Sequence, residues 1–405
     1  MTPQRAVYCD LFRFKDCVVV TRQKIGVIGG GQLAWMMAIA AKKMGLELTV
    51  QAASPDESAV AIADRVVYGK VTDAIATAKL VEHCQIITFE NEFVDLSALQ
   101  ELINDSDTHA LFLPRLETLA ISVDKLKQRQ HFYDHHIPTP EFYNVENDAE
   151  LLAAAQNLGY PLILKTRRHG YDGKGTWLIS SETDLRLAWD SMQKMPAIAE
   201  AFIAFERELA VIVARTETGE IAMYPVVETL QIDQVCRRTI APARISDDVR
   251  QKVEVVATQI VNTLDAIGVF GIEFFLTATG EISVNEIAPR THNSGHYTIE
   301  GCQTSQFEQL LRVVSANPLG EVAMATPVAV MVNLLGFENT TCDSPQYLDK
   351  RRAIASFADT HVHWYGKKQS SVGRKLGHVT ILSKNHGQAL EISDRIESIW
   401  YSHSS

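Results

Sequence analysis

The run Val284-Asn285-Glu286-Ile287-Ala288-Pro289-Arg290-Thr291-His292-Asn293-Ser294-Gly295-His296 gathers a carboxylate, amides, imidazoles, a guanidinium and hydroxyls around one proline and one glycine. A purely stabilising strand does not carry such a load, because each buried polar group needs a partner or costs free energy. Just upstream, Gly271-Ile272-Glu273-Phe274-Phe275-Leu276 is apolar and aromatic with a single acid, and Thr277-Ala278-Thr279-Gly280 has the composition of a hairpin turn. A two-residue turn at Thr279-Gly280 predicts that Glu273 stands directly across from Glu286 on one face of the hairpin. Two carboxylates held that close repel unless a cation lies between them, and an oxygen-only donor set favours magnesium or manganese. The competing reading is a surface hairpin with two solvated acids; Phe274, Phe275 and Ile287 argue instead for burial.

A second cluster is Lys165-Thr166-Arg167-Arg168-His169-Gly170-Tyr171-Asp172-Gly173-Lys174-Gly175. Glycines at 170, 173 and 175, set between two predicted strands, make a flap able to close over a polyphosphate. The spacing is not that of a Walker loop leading into a helix. Lys165 closes a buried strand, where its ammonium is placed to meet phosphate rather than water. A solvated basic hairpin would leave Tyr171-Asp172 unexplained. Glu200-Ala201-Phe202-Ile203 and Glu208 lie on strands suited to a nucleotide pocket, with apolar flanks for a base, backbone groups for its edge and an acid for ribose hydroxyls. Acids on strands are also commonly solvent-facing, so this pattern is of low specificity.

Gly29-Gly30-Gly31-Gln32-Leu33-Ala34 follows a strand and opens a helix, formally a dinucleotide fingerprint. The second strand, however, ends at Gln51-Ala52-Ala53 with no acid for a ribose, so the loop binds a phosphate or nothing. Tyr365-Gly366-Lys367-Lys368 and Gly373-Arg374-Lys375-Leu376-Gly377-His378 cluster four cations around glycines, either a solvated turn or a phosphate clamp.

These groups need scaffolding. The first third alternates strands (Lys24 to Ile28, Glu47 to Gln51, Arg65 to Tyr68, Gln85 to Thr88) with helices (Gln32 to Met44, Asp73 to His83), which predicts a parallel sheet flanked by helices. Leu113-Pro114-Arg115 is the exit from it. One helix is expected from Ser122 to His135, capped by Ser122 and Asp124, and another from Asp148 to Leu158. From Leu162 to Ala241 the pattern is mostly strands, including Ala197 to Phe202, Arg207 to Arg215 and Ile221 to Val227. A long amphipathic helix follows from Asp247 to Ile267, then the acid hairpin, then a helix from Ser305 to Ser315. The tail after Gly320 reads as a small separate α/β unit.

A chain of 405 residues is too long for one ordinary core. Hydrophobic residues at 46% and charged ones at 21% place it among soluble globular chains. The net charge of -11 argues against a general nucleic-acid binder, although the local cations can still hold an anionic small substrate. Six cysteines, at 9, 17, 84, 236, 302 and 342, form no metal-finger spacing, so reduced thiols and a cytoplasmic location are expected. No run is long enough to span a membrane. Residues 1-23 read as an extension, with Cys17 to Val20 able to form an extra strand.

The order of these motifs resembles the ATP-grasp superfamily and, within it, the 5-(carboxyamino)imidazole ribonucleotide synthase (PurK) family. The resemblance rests on Gly29 to Leu33, Thr88-Phe89-Glu90-Asn91-Glu92, the flap, Glu273 and the block through His296. It extends through Tyr224 to Glu228, Thr304 to Glu308, Met331 to Gly336 and Arg374 to His378, roughly Lys24 to Thr380. It implies an α/β and α+β multidomain chain: a doubly wound pre-ATP-grasp domain over 24-118, an ATP-grasp domain over 119-320 and a small C-terminal domain over 321-405. The implied reaction is ATP-dependent carboxylation of aminoimidazole ribonucleotide by bicarbonate through carboxyphosphate, in a homodimer. By motif match, Lys125, Lys165, Gly170 to Gly175, Glu200, Ala201, Phe202, Ile203, Glu208, Gln231, Asn285 and Glu286 contact ATP. Glu273 and Glu286 hold the metal. Tyr171, Asp172, Lys174, Arg290, His292 and Asn293 surround the reacting groups, while Gln32, Glu92, Lys367 and Arg374 hold the ribonucleotide.

Three positions depart from the family pattern. Ala34-Trp35 replaces Gly-Arg, Gln231 replaces a histidine, and Ser371 replaces an arginine. A sister transformylase that activates formate, a nicotinamide oxidoreductase and a catalytically dead nucleotide-binding regulator are the alternatives. The flap with His292-Asn293, the missing ribose acid, and the retained Glu273, Glu286 and Lys165 disfavour them in that order. The flap also generates a test. Gly173→Val disfavours any positive φ there, so this variant should still hydrolyse ATP slowly while carboxylated product falls below one per ATP, measured as phosphate and product in one assay. Unchanged coupling at a reduced rate would remove the shielding role.

Overall fold

The structure, a computed structural model, describes residues 23–104, 110–168, 170 and 175–402. The extra strand expected within residues 1-23 lies outside them, as do Tyr171, Asp172, Gly173 and Lys174 of the flap.

The first unit is the expected parallel sheet. Its order is Arg65–Tyr68, Glu47–Ala52, Lys24–Ile28, Ile86–Phe89 and Leu111–Phe112. The chain order reverses between Lys24–Ile28 and Ile86–Phe89, and a crevice opens at the carboxyl ends of such a pair. Gly29 to Gln32 and Glu90 to Glu92 leave the sheet at that crevice. Helix Gln32–Met44 stops at Gly45, whose φ of 71° makes the left-handed cap, with Lys42 and Lys43 in the last turn facing the negative dipole end.

A smaller antiparallel sheet runs Phe142–Val145, Ala197–Ala201, Leu162–Thr166, Thr176–Ile179. The large antiparallel sheet runs Ile282–Ala288, Gly268–Thr277, Phe205–Arg215, Val227–Ile232, Val235–Ala241, Val328–Leu335, Lys375–Ser383, Thr360–Trp364, with Ile221–Met223 paired beside Phe205–Arg215. The C-terminal strands therefore extend the central sheet through the pairing of Val235–Ala241 with Val328–Leu335. Thr340–Thr341 and Gln369–Ser370 pair as a separate two-stranded sheet within the C-terminal unit.

Strand Phe205–Arg215 is buried on both faces. Leu209, Val211 and Val213 pack under helix Asp247–Thr263, whereas Ala210, Ile212 and Ala214 join the core shared with helices Gln32–Met44 and Gln306–Val314. Alternation of side chains along a strand is what lets one strand serve two cores.

Some expected elements change. Two helices are found here, Leu116–Ser122 and Lys125–Asp134, the second matching the helix expected over Ser122 to His135. Ser122 ends the first, its hydroxyl bonded to the Thr118 carbonyl, and Asp124 alone caps the second through the Leu126 N–H. Ile221 to Val227 splits at Pro225 into two strands, and the strand-rich stretch contains the helix Glu182–Ser191. The long amphipathic helix ends at Thr263 rather than Ile267. Among the described residues no helix is long and apolar enough to cross a membrane.

The acid hairpin has the expected pairing by a different route. Thr277 pairs with Glu281 around Ala278-Thr279-Gly280, with Gly280 at φ 80°, so the loop has three residues. That alone would put Glu273 opposite Asn285. A register shift between Glu273 and Phe274 inserts Asn285 as a bulge and restores Glu273 opposite Glu286. Ile272, Phe274 and Leu276 face the core of helix Asp247–Thr263, and Glu273 and Phe275 face the opposite side. Phe274→Ala should accordingly cost about 3–5 kcal/mol in urea unfolding, and Phe275→Ala markedly less. Equal losses would mean that the two faces are not distinct.

Candidate active site

A cavity of about 570 Å³ lies where the first unit, the small sheet and the large sheet meet. The hairpin supplies Glu273, Asn285 and Glu286, and its exit supplies Arg290, His292 and Asn293. Helix Lys125–Asp134 contributes Lys125, and the small sheet contributes Lys165 with Glu200, Ala201, Phe202 and Ile203. Glu208 and Gln231 come from the middle of the large sheet, while Gln32 and Glu92 come from the crevice of the first unit. Gly170 reaches the wall from the flap. Gly175 closes the flap's base at φ 83°, its carbonyl accepting from Thr166 N–H at 2.9 Å.

The charged wall is an ordered network. Arg129 Nε donates to Glu200 Oε1 at 2.6 Å and its Nη2 to the Asn285 carbonyl at 2.6 Å. Lys165 Nζ lies 2.7 Å from the other Glu200 oxygen and 3.3 Å from Asn285 Oδ1. Lys125 Nζ lies 2.8 Å from Glu286 Oε2. Burial would raise Glu200, but Arg129 and Lys165 outweigh it and hold the carboxyl at about 2. Burial lowers Lys165, only partly offset by Glu200, whereas Lys125 is raised because Glu286 overcomes its burial.

Both Glu200 oxygens are thus engaged, and its task is to aim Lys165. The acid left facing the cavity is Glu208, raised by burial and bonded to Gln231. Ile163, Pro140, Ile203 and Phe275 provide the apolar slot beside it, with Phe205 stacked on Phe275 at 4.7 Å.

Glu273 and Glu286 diverge in their protonation. Burial and the charges of Glu286 and Glu208 push Glu273 far up, while Lys125 pulls Glu286 down. Asn285 Nδ2 donates to Glu273 at 3.2 Å. Two facing carboxylates with an amide between them suit an oxygen-seeking cation that takes its remaining ligands from phosphate and water.

At the hairpin exit, Arg290 forks onto Glu92, its Nη2 3.3 Å from Oε1. His292 Nε2 points at Glu273 Oε1 across 3.6 Å and its Nδ1 meets Ser294 Oγ at 2.9 Å. Burial, Arg290 and Lys375 bring the imidazole down to about 4, so it is neutral. Asn293 exchanges amide bonds with Asn333 at 3.0 and 2.7 Å.

Three family models match successive stretches: the ribonucleotide synthetase preATP-grasp domain over residues 22–122, the ATP-grasp domain over 130–307, and the phosphoribosylaminoimidazole carboxylase C-terminal domain over 329–392. The N5-carboxyaminoimidazole ribonucleotide synthase of Synechococcus elongatus is 47% identical over 384 residues, which span 93% of this chain and 95% of that one. The chain belongs to the N5-carboxyaminoimidazole ribonucleotide synthase family. A crystal structure of an Aspergillus clavatus member complexed with ATP is 34% identical with a TM-score of 0.85, covering 93% of this chain and 99% of that one. Another from Aspergillus clavatus, in complex with ADP and 5-aminoimidazole ribonucleotide, is 32% identical with a TM-score of 0.86, covering 94% and 99%.

Family membership puts the remaining contacts in context. In the glycine loop Glu90 accepts two of the N–H groups, Gly31 N at 2.7 Å and Leu33 N at 3.1 Å, so an internal carboxylate takes anchors a phosphate would use. A Cβ on Gly31 would come within 2.4 Å of Glu90 Oε1, so the glycines admit the chain's own carboxylate to the helix N-terminus. Trp35, at the position of the family's arginine, packs edge-on to Tyr365 at 6.2 Å instead of adding a charge. Ser371 offers its carbonyl to the Arg374 N–H at 3.0 Å.

Lys367 and Arg374 do not line the cavity. Lys367 Nζ donates to the Lys375 carbonyl at 2.7 Å and Arg374 Nη1 to the Gln369 carbonyl at 2.7 Å. It is Lys375 that reaches the wall. Sequence reasoning also missed Arg129, although its i+4 spacing from Lys125 marks a shared helix face, and Gly271. A Cβ on Gly271 would sit 2.5 Å from His292 Cβ. Gly271→Ala should therefore displace His292, cost about 1–3 kcal/mol, and lower turnover more than tenfold with Glu273 intact; unfolding and steady-state assays on one preparation check both.

Proposed function

We propose that this chain carboxylates 5-aminoimidazole ribonucleotide with bicarbonate, driven by ATP, to give N5-carboxyaminoimidazole ribonucleotide, ADP and phosphate in purine biosynthesis. The observation that carries the reading is the facing pair Glu273 and Glu286, set beside Arg290 and His292 in a cavity that Lys125 and Lys165 share. Adenine fills the slot of Ile163, Ile203 and Phe275, Glu208 takes the ribose, and Lys125 and Lys165 meet the phosphates.

A bicarbonate oxygen attacks the γ-phosphorus and ADP leaves, forming carboxyphosphate. The carboxyl then passes to the ribonucleotide amine as phosphate departs. Arg290, fixed by Glu92, and the neutral His292 orient the small anion where these groups meet. Asn293, locked by Asn333, completes that corner. The donor set of Glu273, Glu286 and Asn285 fits magnesium or manganese, which when bound would draw charge off the phosphate oxygens. By the family's motif, Tyr171, Asp172 and Lys174, which lie outside the described residues, are the groups assigned to excluding water from the intermediate. Gln32 and Lys375 face the ribonucleotide from the wall, and Lys367 with Arg374 would add charge to its phosphate on release from the Lys375 and Gln369 carbonyls. A reducing cytoplasm accords with free thiols at Cys84, Cys236, Cys302 and Cys342 among the described residues, and the homodimer is proposed from family resemblance alone.

The direct test is whether ATP consumption requires both aminoimidazole ribonucleotide and bicarbonate. Dependence on formate, or on neither, would overturn the reading. Within it, Glu286→Gln should cut turnover at least about a hundredfold, as loss of one preorganised electrostatic partner does. Its stability should fall, because Lys125 loses the carboxylate that offsets its burial while Glu273, already held toward its neutral form, offers little repulsion to relieve. Near-normal turnover at saturating magnesium would free Glu286 from this role.

The C-terminal cations give a pH test. Burial and the neighbouring Arg374, against the opposing pull of Glu90, bring Lys367 down to about 8. Its charge is present below that value and lost above it, so the KM for the ribonucleotide should rise as pH climbs through about 8. Lys367→Arg, which stays charged, should abolish the rise. A KM flat in the native enzyme to about pH 9 would place the phosphate elsewhere.

A further inference from the structure

Both backbone groups of His292 are bonded by one buried side chain that lies outside the cavity. Gln306 is fully buried. Its Oε1 accepts the His292 backbone N–H at 2.9 Å, and its Nε2 donates to the His292 carbonyl at 2.8 Å. The carboxamide therefore pairs with a single residue as a neighbouring strand would, satisfying both backbone groups at once. The second N–H of the amide is directed at His296 Nδ1, 3.2 Å away. Three of the four hydrogen-bonding positions of this amide are in use. The orientation is unique, because a flipped amide would set an N–H against the His292 N–H and an oxygen against its carbonyl.

The surroundings fix Gln306 in turn. It is the first residue of helix Gln306–Val314, whose N-terminus is closed by the Ser305 and Glu308 capping box. Its own N–H donates to Thr298 Oγ1 at 2.9 Å, and that hydroxyl donates to the Gly295 carbonyl at 2.6 Å. Gly295 gives the amide its space: a Cβ there would lie 2.5 Å from Gln306 Oε1 and 2.7 Å from Ile212 Cγ1. The glycine of the Asn-Ser-Gly-His run is thus required for clearance rather than for an unusual backbone angle. The same helix packs Phe307, Leu310 and Leu311 into the core that holds Leu33, Met36 and Met37 of the first unit. Gln306 consequently ties the His292 backbone to the helix that begins at Gln32, so that residues from opposite sides of the cavity share one reference.

We infer that Gln306 is a positioning residue for the carboxylation step, setting the His292 imidazole relative to Glu273 and the ribonucleotide side of the cavity. This deepens the proposed function and rests on it. The reacting corner depends on His292 standing opposite Glu273, and among the described residues Gln306 bonds both backbone groups of His292. The nucleotide slot lies on other elements, so ATP binding should not sense the change.

The test compares Gln306→Met, of similar volume without the amide, with Gln306→Glu, which keeps the acceptor for the His292 N–H and loses the donors. Leu311→Val, a packing change on the same helix away from His292, is the control for lost stability. Each is measured for product formation, KM for ATP, product per ATP consumed, thermal midpoint, and the His292 imidazole resonances in a ¹⁵N-histidine spectrum. Native enzyme showing turnover that requires ribonucleotide and bicarbonate secures the underlying reading separately. The expected result is a kcat at least tenfold lower in both Gln306 variants, KM for ATP within twofold, and shifted His292 resonances. Leu311→Val should keep native kcat at a comparable thermal midpoint. If Gln306→Met does not fold, Gln306→Glu decides alone. Native kcat in the folded Gln306 variants, unshifted His292 resonances, or a kcat that falls equally in Leu311→Val would each overturn the assignment.

Discussion

Placing Lys125, Arg129, Lys165, Glu200 and Glu286 together in one cavity wall is tolerable only because each charge faces an opposite one at hydrogen-bonding distance. The pairing is deliberately unequal. Three cations meet two ionised acids, and the third acid, Glu273, is held toward its neutral form by burial and by its neighbours' charge. The wall therefore keeps a positive excess in a region of weak screening, where it acts strongly on a polyanion. Arg129 is the centre of this arrangement. It bonds Glu200 on the small sheet and the carbonyl of the bulged Asn285 on the hairpin, so it sets the distance between the two sheets that enclose the cavity.

The bulge at Asn285 is the backbone counterpart of that network. A three-residue loop by itself would misalign the two acids by one position and turn one of them away. The inserted residue corrects the register, and its freed carbonyl and amide are used at once by Arg129, Lys165 and Glu273. Loop length, bulge and charge network are three expressions of one requirement, that Glu273 and Glu286 face each other.

The first unit contributes differently. Its glycine loop has the form of an anion site, yet Glu90 fills it with an internal carboxylate. The helix N-terminus is thereby neutralised by the protein, and the crevice is left to present Gln32 and Glu92 instead. Glu92 then fixes Arg290 from the far side of the cavity. A reaction that joins two substrates needs groups from separate units at one point, and such ion pairs are what hold the units in register.

Much of this was legible in the chain itself. Alternating strands and helices gave the parallel sheet, and the composition of the hairpin marked two acids that face each other, because local spacing and residue type report local geometry. The pairing of Glu273 with Glu286 was foreseen, although the turn behind it was not, since an added loop residue and a bulge cancel in the count. Helix Glu182–Ser191 was missed despite Ser181 as a cap and Leu185, Ala188, Trp189 and Met192 at helical spacing. Strand patterns on either side hid it. What the tertiary structure alone decided is which charges meet. Arg129, Gln306 and Asn333 lie in segments the sequence marks, but the partners they bond on other segments could not be read, because a contact between distant segments leaves no periodicity. The continuity of the C-terminal strands with the central sheet belongs to the same class: strand pairing across many residues is set by hydrogen bonding and burial in three dimensions, which a linear pattern does not encode.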